Sequence, residues 1–413
     1  MPDRAELLAN GALRKTQMSR RFPKLLVTSE FPPNASGGGP AVVRQMLKDW
    51  PAQSLSWWSC IPDRHGKFGR EIASNFVATI PEKLYPRNRL RRPKAFVLEH
   101  GWSGWAASHL RATIRTCKPD AIWAIPHQWS ILPLASALPC GTPYHVSIHD
   151  YPDAHHSAKR IGAKTTGRLV HLVEKLYREA NSRDAISDEM AADLQERTGK
   201  PTNQILHAGL ERADFDFLKQ KGPSSQSTTK IAYAGTIIAK ESFTLFVEGL
   251  ARIRQRLRKP VELHFFGAHS YAREPWFDRA WMTQVGDLEA EELRTVLQTF
   301  DWGFVPMELD DENAAYNRYS LPTKIVSYLA AGLGVITMGH TKSTVARLGQ
   351  EYSLGIAIDE TRLSQIDDLL LQGLSEENIW ARYGDAIRRC AEQKFDAVAM
   401  KADLYARLGV DQG

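Results

Sequence analysis

The chain has 413 residues, of which 43% are hydrophobic and 24% charged, and its formal net charge is +6. That length suggests two or three domains with large cores, and the composition is ordinary for a soluble globular protein. The most apolar stretch, 122–139, is broken by Pro126, His127, Gln128 and Pro133, which a lipid-facing helix would poorly tolerate.

Residues 1–21 form a basic extension without the apolar centre of a signal peptide. Cys60, Cys117, Cys140 and Cys390 make no C-x-x-C pair and read as reduced, mostly buried thiols. Both features suit the cytoplasm. Across 22–215, β-rich runs at 24–28, 54–59, 121–125, 144–148 and 204–207 alternate with amphipathic stretches such as 41–50 and 169–180, the pattern of a parallel sheet. Between the first strand and its helix lies S-E-F-P-P-N-A-S-G-G-G-P, residues 29–40. Gly37, Gly38 and Gly39 let backbone approach a ligand, and Pro40 suits a helix start. A dinucleotide-binding loop is the rival reading, but G-x-G-x-x-G should follow its strand directly.

Lys83, Arg87, Arg89, Arg91, Arg92 and Lys94 then crowd one segment. They make either a solvated basic loop or a site for an anionic membrane surface or lipid-diphosphate acceptor. With no helix-turn-helix, RNP or zinc-finger pattern in view, nucleic acid ranks last. The strand at 144–148 runs into H-V-S-I-H-D-Y-P-D-A-H-H. Alternation puts His145, Ser147 and His149 on one face, and His149 with Asp150 at the carboxyl edge, where open α/β sheets hold ligands. A neutral imidazole there could hydrogen-bond a transferred sugar or a phosphate; metal is the rival, without compact ligand spacing. Ser187 reads as a helix cap.

Residues 216–230 are Gly/Pro/Ser/Thr-rich in their second half and read as a linker. A second alternating series fills 231–394, with strands at 231–234, 262–266, 302–305 and 335–337. Within it, Y-S-L-P-T-K-I-V-S-Y-L-A-A-G-L-G-V-I, residues 319–336, carries the clearest chemistry. A polar turn enters an apolar helix that Gly332 stops, and the free N–H groups, the helix dipole, Ser320, Thr323 and Lys324 together suit a phosphate. Residues 395–408 read as a last amphipathic helix with Val398, Leu404 and Leu408 on a common face.

The 319–336 segment resembles the donor-binding helix of GT-B glycosyltransferases, in particular the retaining family-4 enzymes of bacterial surface-glycan synthesis. Residues 29–40, the strand ending in His149-Asp150, Ile231 to Lys240 and the later strand ends follow the same family's order, so that the resemblance covers most of 24–408. It implies two doubly wound Rossmann-like α/β domains facing across a cleft, with the terminal helix, 395–413, crossing back onto the first. It also implies a nucleotide-sugar donor as co-substrate, a glycan or lipid-linked acceptor, and no required metal or other cofactor. By the same resemblance His149, Asp150, Lys240 and Lys324 serve catalysis, while Gly37, Gly38, Gly39, Gly235, Thr236, Ser320, Pro322, Thr323 and Ser327 bind the donor. The chain departs from the pattern in four places. Tyr319 and Ser327 stand where the family has its two glutamates, Thr236 where it often has an arginine, and Gly334 where it has proline.

The expected function is therefore transfer of a sugar from a nucleotide-diphosphate sugar to a cell-surface or secreted glycan, with retention. Two other readings stay open. One is a catalytically degenerate GT-B scaffold, favoured by the missing carboxylates; the other is a GT-B sugar-nucleotide epimerase, for which Asp150, Asp153 and Glu308 would be the acid–base candidates. A protein on the inner membrane face would use Arg87, Arg89, Arg91, Arg92 and Lys94 for lipid contact.

Overall fold

In a computed structural model the described residues are 21–33, 35, 37–62, 73–85, 90–138, 141–152, 161–222, 227–310 and 314–411. The basic extension up to residue 20, Arg87, Arg89, Cys140, Asp153, His155 and His156 lie outside them.

The first domain contains β1 (Leu25–Ser29), α1 (Gly38–Leu47), β2 (Leu55–Ser59), β3 (Ser74–Val77), α2 (Arg91–Val97), α3 (Ser103–Cys117), β4 (Ala121–Ile125), α4 (Ile131–Ala137), β5 (Tyr144–Ile148), α5 (Ala163–Glu179), β6 (Ser182–Ala185), α6 (Asp188–Thr198) and β7 (Gln204–Ile205). Its seven strands are parallel in the order β3-β2-β1-β4-β5-β6-β7. After α7 (Arg212–Gln220), the second domain adds β8 (Thr229–Ala234), α8 (Lys240–Ile253), β9 (Val261–Phe266), β10 (Met282–Gly286), α9 (Ala290–Leu297), β11 (Trp302–Pro306), α10 (Ala314–Tyr319), α11 (Thr323–Ala330), β12 (Gly334–Met338), α12 (Thr344–Tyr352), β13 (Gly355–Ile358), α13 (Ile366–Leu374), α14 (Ile379–Lys394) and α15 (Ala397–Arg407). Six parallel strands run β10-β9-β8-β11-β12-β13.

Both sheets reverse strand order beside their first strand, between β1 and β4 and between β8 and β11. Loops leaving the carboxyl ends of such neighbouring strands diverge to opposite faces, which opens a crevice at each switch point. The central strands β1, β4, β11 and β12 are buried on both faces, as strands covered by helices on each side must be. Trp57, Trp58 and Trp123 fill the first domain's two core layers, and Phe246 stacks on Phe304 in the second.

Two expectations need correction, and one strand was not legible in the sequence. The linker starts later than residue 216, because 212–220 are helical and Leu218 packs into the second domain's core. Val398 does not share a face with Leu404 and Leu408; it is exposed, since six residues at 100° each carry it well around the helix. The buried face is instead Ala397, Lys401, Leu404 and Tyr405, and it returns to the first domain: Tyr405 donates to the Met46 carbonyl and Lys401 to Asp49. Finally, β6 is the tetrapeptide S-R-D-A, wholly buried despite its polarity. Its Arg183 donates to the carbonyls of Tyr177 and Ala180, and one oxygen of its Asp184, Oδ2, meets His145 and Ser147 while Oδ1 is buried without a partner, so it carries no apolar strand signal. Cys60 and Cys390 are buried and Cys117 half-buried, all three free.

Candidate donor-binding cleft

Two helix starts meet between the domains. Gly37, at φ +114°, turns the chain into α1, and only a residue without Cβ enters that region readily. One residue on, a Cβ on Gly38 would stand 3.0 Å from Thr323 Cγ2, the first residue of α11. Neither helix has a side-chain cap, so N–H groups of both domains are left for a ligand, with both dipoles favouring an anion. They border a cavity of about 610 Å³ lined also by His149, Asp150, Gly235, Thr236, Ser320, Pro322, Lys324 and Ser327, a size suited to a small-molecule ligand.

Lys324 points into this cleft. Its ammonium donates to Tyr233 Oη at 3.0 Å and lies 4.1 Å from the centre of that ring. Among the described residues no carboxylate pairs with it, and burial lowers its pKa to about 7. Lys240 differs. It is exposed, opens α8 one residue beyond the cleft-lining Ala239, and does not line the cavity itself.

On the opposite wall His149 is buried, and neither ring nitrogen has a hydrogen-bond partner. Burial lowers its pKa, outweighing the attraction of Asp184 and Asp150, which keeps the imidazole neutral with one donor and one acceptor to offer. Gly39 lies against it: an added Cβ would stand 3.6 Å from Nδ1, an ordinary van der Waals contact. The other two residues on its strand face are anchored beneath. His145 Nε2 meets Asp184 Oδ2 at 2.7 Å, Ser147 donates to the same oxygen at 2.8 Å, and Trp123 donates to Ser147 at 2.7 Å.

Asp150 belongs to a cluster that sequence reading missed. His127 bridges Glu30 Oε2 through Nδ1 at 2.7 Å and Asp150 Oδ2 through Nε2 at 3.3 Å, while Tyr85 donates to Glu30 Oε1. Burial alone would lower the imidazole's pKa, but bonds to Asp150 and Glu30 and their charges raise it to about 10. Burial would raise the pKa of Asp150, yet His127 overrides it and the net shift is downward. Both His127 nitrogens are thus engaged by carboxylates. Among the described residues, no group of three His, Cys, Asp or Glu side chains is placed to hold an ion. The available signal was positional: Glu30 directly follows β1, and His127 comes two residues after β4, the strands at the switch point.

The two family glutamate positions separate. Ser327 lines the cavity, one turn inside α11. Tyr319 is buried among first-domain core residues and donates to Asp193 on α6. Glu308 follows β11 but does not line the cavity; burial, then Asp310 and Glu241, raise its pKa.

Of the basic segment, Arg91 and Arg92 are exposed and Lys94 half-buried on α2. Leu90, Phe96, Val97 and Trp105 are exposed beside them in sequence, whereas Trp102 and Trp129 are buried. No helix among the described residues is long and apolar enough to cross a membrane.

Residues 246–392, inside the second domain, match the family model described as glucosyltransferase 3-like, C-terminal domain. No curated protein matches the chain in sequence. Among solved structures, sucrose-phosphate synthase from Thermosynechococcus elongatus is similar with a TM-score of 0.65 at 15% identity, covering 94% of this chain and 99% of that one. HepE from Anabaena, solved with UDP and glucose, reaches 0.60 at 13% identity over 94% and 99%. The α,α-trehalose 6-phosphate synthase of Burkholderia multivorans reaches 0.59 at 13% identity over 94% and 98%. At such identities the structural likeness establishes the fold, GT-B, and with the family model matched in the second domain it supports a glycosyltransferase.

Proposed function

We propose that the chain transfers a sugar from a nucleoside-diphosphate sugar to a hydroxyl of a glycan or lipid-linked acceptor in the synthesis of a surface or secreted glycan, with retention of configuration. One observation carries this reading: two uncapped helix starts and Lys324 converge on a cleft whose opposite wall offers a neutral, unpartnered His149. The diphosphate would lie along the Gly37–Gly39 and Ser320–Lys324 turns. As the bond from the anomeric carbon to the β-phosphate oxygen breaks, negative charge grows on that oxygen, and the helix dipoles and Lys324 stabilise it. The acceptor oxygen bonds the anomeric carbon from the same face and passes its proton to the departing diphosphate. His149 would hold a sugar hydroxyl or the β-phosphate. The UDP and glucose held by the similarly folded HepE support this choice of ligand. Asp150 is a poor proton acceptor because His127 already holds its charge, which counts against the epimerase reading.

Tyr319 turned from the cleft and the short Ser327 hydroxyl favour the second reading, a scaffold without turnover. A thermal-shift screen with UDP, GDP, ADP and dTDP sugars, followed by turnover assays with a lipid-linked acceptor extract, separates the two. No shift and no turnover with any donor would leave the scaffold.

The acceptor would be met at the inner face of the membrane. Arg91, Arg92 and Lys94 would attract anionic lipid, with Leu90, Phe96, Val97 and Trp105 entering the headgroup layer. Sedimentation with phosphatidylglycerol-rich vesicles should fall steeply with salt and when the three cations are neutralised; binding indifferent to both would leave an ordinary charged surface.

A further inference from the structure

Tyr319 is a side chain of the second domain buried in the core of the first. It ends α10 directly before the Ser320–Lys324 turn, is 6% exposed, and packs edge-on against Tyr151 with ring centres 6.0 Å apart. Tyr151 directly follows the His149-Asp150 pair and is itself fixed by its hydroxyl on Glu174. The Tyr319 hydroxyl donates to Asp193, whose other oxygen accepts from Arg318 at 3.1 Å. The backbone of this junction is held as well: Arg347 donates to the Arg318 carbonyl at 3.0 Å while pairing with Glu189 of α6 at 2.7 Å.

From this geometry we propose that Tyr319 is a positioning residue for the donor site, a plug that fixes the Ser320–Lys324 turn against the His149–Tyr151 loop across the domain boundary. The inference rests on the glycosyltransferase reading for its ligand and on the packing alone for its conformational part. The two phosphate-facing helix starts belong to different domains, so the site exists only while the domains keep this arrangement. Asp193, Arg318 and Tyr319 link α6 to the very turn that meets the diphosphate, and a ligand bridging both helix starts stabilises the same closed arrangement. The residue at this position therefore acts through the protein and not through the donor.

The test uses the full chain with four variants, Tyr319→Phe, Tyr319→Ala, Tyr319→Glu and Asp193→Asn. Hydrogen exchange of α6 and α10 and the radius of gyration from small-angle scattering, both without ligand, read the domain junction. Titration with the nucleoside diphosphate that shifts melting most among UDP, GDP, ADP and dTDP reads the site. Tyr319→Phe keeps the plug and loses one hydrogen bond, so about fivefold weaker binding is expected. Tyr319→Ala should expose α6 and α10 to exchange, expand the molecule and weaken binding by at least about tenfold. Tyr319→Glu restores a carboxylate of the family pattern, yet it sets that charge against Asp193 and should bind at least as weakly as Tyr319→Ala. Asp193→Asn, which touches no cleft residue, should raise exchange at both helices. Tighter binding by Tyr319→Glu, or unchanged exchange and dimensions in Tyr319→Ala, would overturn the proposal. Nucleotide failing to bind wild type would sink the donor reading while exchange and scattering still decide the plug.

Discussion

The two walls of the cleft carry opposite electrostatics. The second domain offers an ammonium with no acid beside it among the described residues, held at a pKa of about 7 by burial; the first offers the Asp150 carboxylate, backed by an imidazolium that does not itself line the cavity and is held near 10 between Asp150 and Glu30. An isolated buried charge is costly, and a negative ligand relieves it. A compensated carboxylate has no such need, and Asp150, the member of its cluster that lines the cavity, can accept from neutral hydroxyls. A diphosphate would therefore fall to the Lys324 wall, while Asp150 on the opposite wall would favour uncharged groups.

The largest expected effect is at Lys324. Replacing it by alanine should weaken nucleoside-diphosphate binding by about 2–3 kcal/mol in calorimetric titration. An equal loss from Asp150→Asn would mean that the walls are not specialised. Diphosphate binding should also become weaker as pH rises above 7, by up to about tenfold per unit, because Lys324 must then take up a proton to meet the ligand. Flat affinity between pH 7 and 9 would place the charge elsewhere.

Next in size is the contrast in stability. Without ligand, Lys324 binds fewer protons folded than unfolded between about 7 and 10.5, so its burial penalty fades as pH rises. His127 binds more protons folded than unfolded from 6.5 to about 10, and its contribution, complete below 6.5, is lost as pH rises through 10. Lys324→Met should therefore be more stable than wild type at pH 7, and its urea midpoint should fall more steeply toward pH 10. His127→Gln should do the reverse. Parallel pH profiles for wild type and both variants would refute the assigned charges.

His127→Gln should also reduce turnover more than diphosphate affinity, since it frees the Asp150 rotamer without touching Lys324. A loss confined to donor affinity would move this cluster to the donor side. A smaller change is expected at Ser327. A glutamate one turn into α11 would reach a ribose hydroxyl pair and tighten nucleoside-diphosphate binding by about 1 kcal/mol, and weaker binding would show that the space is already filled. The smallest effect is expected for Lys240→Ala, within about 0.5 kcal/mol, because that side chain stands in solvent.

Lys240 and Lys324 show where sequence reading stops. Each follows a glycine or proline turn, opens a helix and fits the same family pattern, yet one side chain lines the cleft and the other faces water. A side chain's direction depends on how its helix packs, which no local pattern records. The alternation of short buried strands with helices was legible because period-2 and period-3.6 spacing is a local property. Strands 121–125 and 144–148 coincide with β4 and β5, and Gly332, at φ +65°, ends α11 as expected. β6 escaped because its polar residues are buried: Arg183 is held by the nearby Tyr177 and Ala180 carbonyls, and Asp184 by His145 and Ser147, 39 and 37 positions away.

By itself, then, the sequence determined two parallel α/β domains, the two turns rich in free N–H groups, and the strand ending in His149-Asp150, because propensity, capping and alternation act over a few residues. Only the tertiary structure decided that residues 30, 127 and 150 share one proton network, that Gly38 touches Thr323, and that Tyr319 leaves the cleft for the opposite domain's core. Strand order and domain docking create those contacts, and both depend on interactions between residues dozens to hundreds of positions apart.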